Sequence, residues 1–338
     1  MHFSLSLALY RQAENGMVEV YRCERHFTNP MQPIVVYRFT DRRSTQPCHR
    51  HEFDELVIVL HGTATHITDD ERYPVGVGDV FFLHGMQTHG YCDQRQFAVM
   101  NILLRPALLE LPWNSLRTLP GYHALFTLEP RYRREHAFQS RLHVNPTELA
   151  GILALLTSME TELFHRDVGY EAVTLAQFSQ LVVYLARCYA RSMTPQSHRI
   201  LRIADAMSLM ERAYAEPLRL DILADMACMS SSTFTRVFKQ ATGYTPIAYL
   251  LRLRIRKAAA LLLDASLSVT ETAQQVGFVD SNYFTRQFTA IMGISPRKYQ
   301  QIARMYPCVY DPLPARTPQA SDACAPAEMS SLPPPVGC

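Results

Sequence analysis

Two groups of residues in this chain have the types and spacing to do chemistry. The first lies in Pro47-Cys-His-Arg-His-Glu-Phe-Asp-Glu-Leu56, where His49, His51 and Glu55 form an H-x-H-x-x-x-E pattern. His89 follows it, after Pro74-Val-Gly-Val-Gly-Asp79. Three imidazoles and a carboxylate can ligate a divalent cation. The same groups can bond the hydroxyls of a small polar ligand with no metal, or serve as structural histidines in strands. Cys48, beside His49, is either a soft ligand or a buried apolar residue. The second group is a pair of short polar faces: Ser231, Ser232, Thr235, Arg236 and Lys239, then Ser281, Asn282, Tyr283, Arg286 and Gln287. Arginine can bond guanine bidentately and asparagine adenine, while serine and threonine reach bases or phosphates, so these faces suit a DNA major groove.

Different elements must position the two groups. From Ile34 to Leu104 short apolar runs of strand length alternate with turn residues, as in Leu56-Val-Ile-Val-Leu60 and Val80-Phe-Phe-Leu83. This predicts a β-sandwich or barrel. The stretch 105–145 is mixed and assigns no firm element. After Pro146 the period changes: Leu149, Ile152, Leu156, Met159 and Leu163, then Leu175, Phe178, Val182, Leu185 and Tyr189, step by three and four. Two amphipathic helices are expected across 146–192, packing on the β-domain or forming a homodimer seam. A polar linker is expected at 193–198. Residues 199–304 read as helical throughout, and 305–338 as a Pro-rich disordered tail.

The helical block repeats itself. Phe234, Arg236, Phe238, Gly243 and Pro246 recur at an offset of 50 as Phe284, Arg286, Phe288, Gly293 and Pro296. Upstream the offset is 49, pairing Leu220 and Ala224 with Val269 and Ala273, so the one-residue difference belongs in a turn. Each unit reads as helix, turn, helix. In the first, Asp221–Ala227 positions and Ser230 or Ser231 caps the second helix, which Gly243 ends; in the second, Thr270–Val276 positions, Asp280 or Ser281 caps and Gly293 ends. Phe234/Phe238 and Phe284/Phe288 give each second helix its core stripe. Ala248–Leu263, with Arg252, Arg254, Arg256 and Lys257, joins the units.

Charge agrees with a polyanion partner at one end. Residues 199–304 carry a net +6 and the remainder −4, against +2 for the whole chain. The eight cysteines are scattered with no C-x-x-C pair, which predicts reduced thiols and excludes a zinc-finger framework. Met1–Tyr10 has no basic residue ahead of its apolar run, so no secretory signal is expected. No segment has the roughly 18 uninterrupted apolar residues of a membrane helix. A cytoplasmic protein with no membrane association is expected.

Leu220–Tyr299 resembles the AraC/XylS family of bacterial transcription regulators. Gly277-Phe-Val-Asp-Ser-Asn-Tyr-Phe-Thr-Arg-Gln-Phe, followed by Gly293-Ile-Ser-Pro296, carries the closest match. The resemblance implies two recognition helices in successive major grooves of double-stranded DNA, joined by a long helix. It implies base reading by Ser232, Thr235 and Arg236 in one unit and by Asn282, Tyr283 and Arg286 in the other. Asp280 matches a position that touches the sigma factor of RNA polymerase, or it is an N-cap. Thr272 departs from the family, which has an aliphatic residue there.

His49–Tyr91 resembles the cupin sensor of arabinose- and rhamnose-type activators, especially the rhamnose-operon regulators, which implies a sugar effector at His49, His51, Glu55 and His89. The expectation is an α+β chain: an effector-binding cupin β-barrel with an N-terminal arm (1–145), a helical dimerisation segment (146–192), a linker (193–198) and an all-α double helix-turn-helix domain (199–304). Its expected function is a non-enzymatic transcription regulator, an activator responding to a carbohydrate, with no required cofactor. The alternative is a metal-dependent cupin enzyme fused to a DNA-binding domain, in which those four residues hold the metal. A third reading is an effector-independent binder whose cupin only dimerises.

Overall fold

A computed structural model of the chain describes residues 18–40, 45–68, 71–133, 139, 141–191, 194–264 and 266–305. The expected N-terminal arm before residue 18 and the Pro-rich tail beyond 305 lie outside the described residues.

The N-terminal domain is built on strands β1 (Glu19–Tyr21), β2 (Ile34–Thr40), β3 (Gln46–His51), β4 (Asp54–Thr68), β5 (Glu71–Gly76), β6 (Asp79–Leu83), β7 (His89–Leu104) and β8 (Leu142–His143). They form one curled sheet in the order β1-β3-β7-β4-β6-β8, with β2 also on β7 and β5 also on β4. Every pairing is antiparallel except β1 with β3. The continuous apolar runs follow from burial on both faces, since successive strand residues point to opposite sides. Val57, Val59, Phe81, Leu83 and Val99 fill the inside of the curl. Leu56, Ile58, Val80, Phe82, Met100 and Ile102 face the helices.

Within the stretch with no assigned elements, residues 120–133 are a helical bridge. After a 3-10 turn at Pro106–Leu108 and a short helix at Trp113–Leu116, the chain winds continuously from Pro120 to Tyr132, with a π-helical segment at His123–Leu128 whose residues are all buried. Its period is neither 2 nor 3.6, which hides it from pattern reading.

Helix α1 (Pro146–His165) starts on an Asn145/Glu148 capping box, with Pro146 at a position whose N–H needs no partner. Helix α2 (Tyr170–Arg191) runs back along it. Ile152, Leu156, Met159, Phe178, Val182, Leu185 and Tyr189 are buried and Leu149, Leu163 and Leu175 half-buried, so most of both seams packs inside the protomer. The expected linker at 193–198 is corrected: Thr194 accepts from the Ser197 N–H and caps helix α3, which begins at Pro195 and runs to Arg212. A hydroxyl N-cap followed by proline starts a helix more readily than it extends a coil.

The remaining helices are α4 (Leu220–Met226), α5 (Ser231–Thr242), α6 (Pro246–Leu261), α7 (Val269–Gln275), α8 (Ser281–Met292) and α9 (Pro296–Met305). The two units are packed unequally. Phe234, Val237 and Phe238 of the first share one continuous core with the bridge, α1–α3 and the outer face of the sheet. Phe284 and Phe288 of the second sit in a separate core with Ile255, Ala259, Phe278 and Tyr299. Among the described residues no helix is long and apolar enough to cross a membrane.

Candidate functional site

Both helix-turn-helix units are built from their caps outward. Ser230 accepts from the Thr233 N–H and starts α5, while Asp280 accepts from the Asn282 and Tyr283 N–H groups and starts α8. Gly243 and Gly293 end them in the left-handed conformation, at φ 82° and 76°. The turns also correspond: Gly277 has φ 85° and its counterpart Cys228 has φ 54°. At Gly277 a Cβ would run into the Ala215 carbonyl, so only glycine fits there.

Capping sets which residues face outward. Phe234 and Phe238, like Phe284 and Phe288, are completely buried, which fixes the rotation of each helix. Ser232, Arg236 and Lys239 are exposed and Ser231 and Thr235 half-buried; Asn282, Tyr283 and Arg286 are exposed and Ser281 and Gln287 half-buried. Each unit thus brings its expected contact residues onto one face. Thr235 donates to the Ser231 carbonyl at 2.8 Å, and Thr285, absent from the expected set, repeats this with Ser281 at 2.9 Å. The Arg286 guanidinium lies 5.9 Å from the centre of the Tyr283 ring, which braces it.

Most of the basic residues of α6 are engaged inside the protein. Arg254 donates to the Tyr214 and Glu216 carbonyls at 2.7 and 2.8 Å, and Arg256 to Glu211 Oε1 at 2.6 Å. Lys257 lies 3.2 Å from Glu211 Oε2 and donates to Asn114 Oδ1 of the N-terminal domain at 2.7 Å. Burial pushes the Glu211 carboxyl up, but Arg256 and Lys257 outweigh it and hold it below its ordinary value. Thr272 is fully buried, with its hydroxyl donating to the Ser268 carbonyl at 2.9 Å. That bond explains how a polar residue is accommodated in a core position.

In the N-terminal domain the expected cluster assembles from three strands. His49 and His51 come from β3, Glu55 from the start of β4 and His89 from the start of β7, where His49 and His89 are register partners. All four are buried. His51 Nε2 and His89 Nε2 each lie 3.3 Å from Glu55 Oε2. Donor atoms of His51, Glu55 and His89 fall within 4.8 Å of one another. His49 stands outside that set. Its ring stacks on Tyr21 of β1 at 4.4 Å and lies 4.3 Å from the His89 ring, beside the other three.

The cluster is electrostatically divided. Burial pulls His49 down to about 3, helped by the neighbouring His89, and burial also lowers His89. For His51 burial acts downward, but Glu55 outweighs it and the net shift is upward. Burial acts to raise Glu55, yet hydrogen bonding and charge from His51 and His89 hold its carboxyl well below the usual range. An ion pair between His51 and Glu55 beside two neutral imidazoles satisfies all of these directions. The inner wall also contains His66 and Tyr91, register partners on β4 and β7, with rings 5.1 Å apart. Their signal was the period-two burial of Ala64, His66 and Thr68, hidden because polar and apolar residues share the inward face.

These features define a two-domain DNA-binding regulator: a sheet-built ligand-binding domain ahead of a paired helix-turn-helix domain. Residues 33–187 match the family described as AraC-like ligand binding domain, and residues 223–302 match Helix-turn-helix domain. The HTH-type transcriptional activator RhaS of Enterobacter sp. (strain 638) is 31% identical over 255 residues, covering 75% of this chain and 87% of that protein. RhaS of Escherichia coli O1:K1 / APEC gives the same identity and coverage. The chain belongs to the AraC family of transcription regulators. Among solved structures, the AraC-type DNA-binding domain regulator of Chromobacterium violaceum is 32% identical over 31% of this chain and 94% of that one, with a TM-score of 0.30. A point variant of apo ToxT from Vibrio cholerae is 11% identical over 80% of this chain and 97% of that one, with a TM-score of 0.30.

Proposed function

We propose that this protein is a cytoplasmic one-component transcription activator whose N-terminal domain binds a small carbohydrate effector and thereby changes how the two helix-turn-helix units engage double-stranded DNA. The observation that carries the reading is the bridge at 120–133, which touches both functional ends. Arg133 Nη2 donates to the Phe82 carbonyl of β6 at 2.8 Å, and its guanidinium lies 5.9 Å from the Phe81 ring, which is itself 4.8 Å from His66. One residue earlier, the Tyr132 hydroxyl donates to the Val237 carbonyl of recognition helix α5 at 2.9 Å. A ligand that moves the inner wall of the sheet can shift α5 only if it binds the two arrangements with different affinity.

The relatives named as transcriptional activators support activation, and regulation over catalysis. Ser231, Ser232, Thr235, Arg236 and Lys239 read one groove segment and Ser281, Asn282, Tyr283, Arg286 and Gln287 the next. Asp280 is both a cap and the proposed contact to the sigma factor of RNA polymerase, since its two capping bonds use Oδ1 alone on an exposed carboxylate. A homodimer through 146–192 has to use the outward side of the α1–α2 hairpin, because most of both seams is buried. The test is a thermal-shift panel of monosaccharides on the full chain, followed by DNA affinity with and without any sugar that binds. One sugar should raise Tm and change DNA affinity. A flat panel removes the carbohydrate, and a bound sugar without effect on DNA removes the coupling.

A further inference from the structure

We infer that Arg254 is a positioning residue that locks the two helix-turn-helix units into one rigid reader, and so sets the spacing of the two DNA segments the protein accepts. Helix α6 joins the units, and α5 and α8 are seated in separate cores. A second connection closes this joint. The link from α3 to α4 carries Tyr214, Ala215 and Glu216 and belongs to the first unit, while the turn at Gly277 and Phe278 belongs to the second. The two meet directly, because a Cβ on Gly277 would run into the Ala215 carbonyl oxygen. Cys228, the counterpart of Gly277 in the first unit, is exposed and tolerates a side chain. Glycine at 277 thus answers to the neighbouring unit as well as to its own φ of 85°. Tyr214 packs against both cores.

Arg254 closes over this contact. From the middle of α6 its Nε donates to the Tyr214 carbonyl at 2.7 Å and its Nη2 to the Glu216 carbonyl at 2.8 Å, one on each side of Ala215. The rigid fork of a guanidinium can hold both carbonyls at once. The same group lies 5.9 Å from the centre of the Phe278 ring, Phe278 lies 6.0 Å from the Tyr283 ring, and Arg286 lies 5.9 Å beyond. Cations and rings therefore alternate from the backbone of the first unit to the outward face of the second. Helix α6 sets how far apart the units stand, and the bonds at Arg254 set how they are turned about it. One added base pair displaces a half-site by about 3.4 Å and rotates it by about 34°. A rigid reader cannot follow both changes, and it loses the base contacts of one unit.

The lock rests on the reading of DNA by both α5 and α8 proposed above. Duplexes selected from a random-sequence library by the full-length protein supply the site. Its halves are then moved one base pair closer together or further apart, and Kd is measured by fluorescence anisotropy at fixed salt. The wild type should lose at least ~30-fold at either altered spacing. Arg254→Gln should lose less than ~5-fold, with its Tm recorded alongside. Phe278→Leu, which keeps an apolar side chain but no ring, should shift in the same direction. A residue that only supports the fold would weaken binding equally at all spacings. A wild-type loss below ~5-fold overturns the rigid reader without reference to any variant. Folded Arg254→Gln and Phe278→Leu proteins that both keep the full wild-type discrimination overturn it as well. Scrambling either half alone should weaken wild-type binding; if one half can be scrambled freely, the paired reading itself fails, a result separate from the spacing series.

Discussion

Glu211 is the residue whose replacement tests most directly how the two domains are joined. Its side chain is 1% exposed and holds Arg256 at 2.6 Å and Lys257 at 3.2 Å, while Lys257 reaches across to Asn114. Glu211→Gln keeps the shape and one acceptor oxygen but leaves two cations without their counter-charge. Breaking a buried ion pair costs about 3–5 kcal/mol. Arg256 remains 29% exposed and Lys257 14%, so water recovers part of that, and about 2–3 kcal/mol is expected. At ~2–4 °C per kcal/mol this lowers Tm by roughly 4–12 °C in calorimetry of the full chain near pH 7.5. The carboxyl is held below its unfolded value, so its contribution is present above about pH 4.3 and is lost as pH falls through the folded value. The wild-type advantage over Glu211→Gln should accordingly shrink in acid. Adding Lys257→Met should recover part of the loss, because it removes one unpaired cation. A Tm within ~1 °C of wild type at pH 7.5 would refute the reasoning, since it would mean that the cations are already hydrated.

Arg286→Ala should weaken DNA binding by ~5–150-fold at one half of the operator and much less on random sequence, measured by fluorescence anisotropy at fixed salt; equal loss on both would make Arg286 a phosphate contact. Cys228→Gly should raise stability by about 0.5–1 kcal/mol in urea denaturation, because glycine relieves the side-chain strain at φ 54°, though it also loosens the unfolded chain. Any destabilisation would show that the thiol's contacts outweigh its backbone strain. His123 is buried, and burial lowers it to about 4, with Nε2 2.7 Å from the Arg117 carbonyl. The unfolded chain binds this proton first, so stability should fall by about 3 kcal/mol as pH drops from ~6.5 to ~4. His123→Gln should flatten that slope in denaturation series at stepped pH, and an unchanged slope would assign the acid sensitivity to other groups.

The helix-turn-helix domain was legible in the sequence because its rules are local. Caps at Ser230 and Asp280, left-handed residues at Gly243 and Gly293, and Phe pairs four apart each act within one or two turns, so spacing alone set the outward faces. The strands were legible for a similar reason, since burial on both faces writes itself as unbroken apolar runs. Tertiary structure alone decided the rest. His51, Glu55 and His89 meet because β3, β4 and β7 are adjacent in the sheet, and His49 sits between His89 and Tyr21 of a fourth strand. The bridge at 120–133 joins residues about 100 positions apart through Tyr132 and Val237, and the apparently free cations of α6 are taken up by Glu211 and by backbone carbonyls. Periodicity records which side of an element is buried. It does not record what that side is buried against, and at the cluster and at the domain junction that partner decides the chemistry.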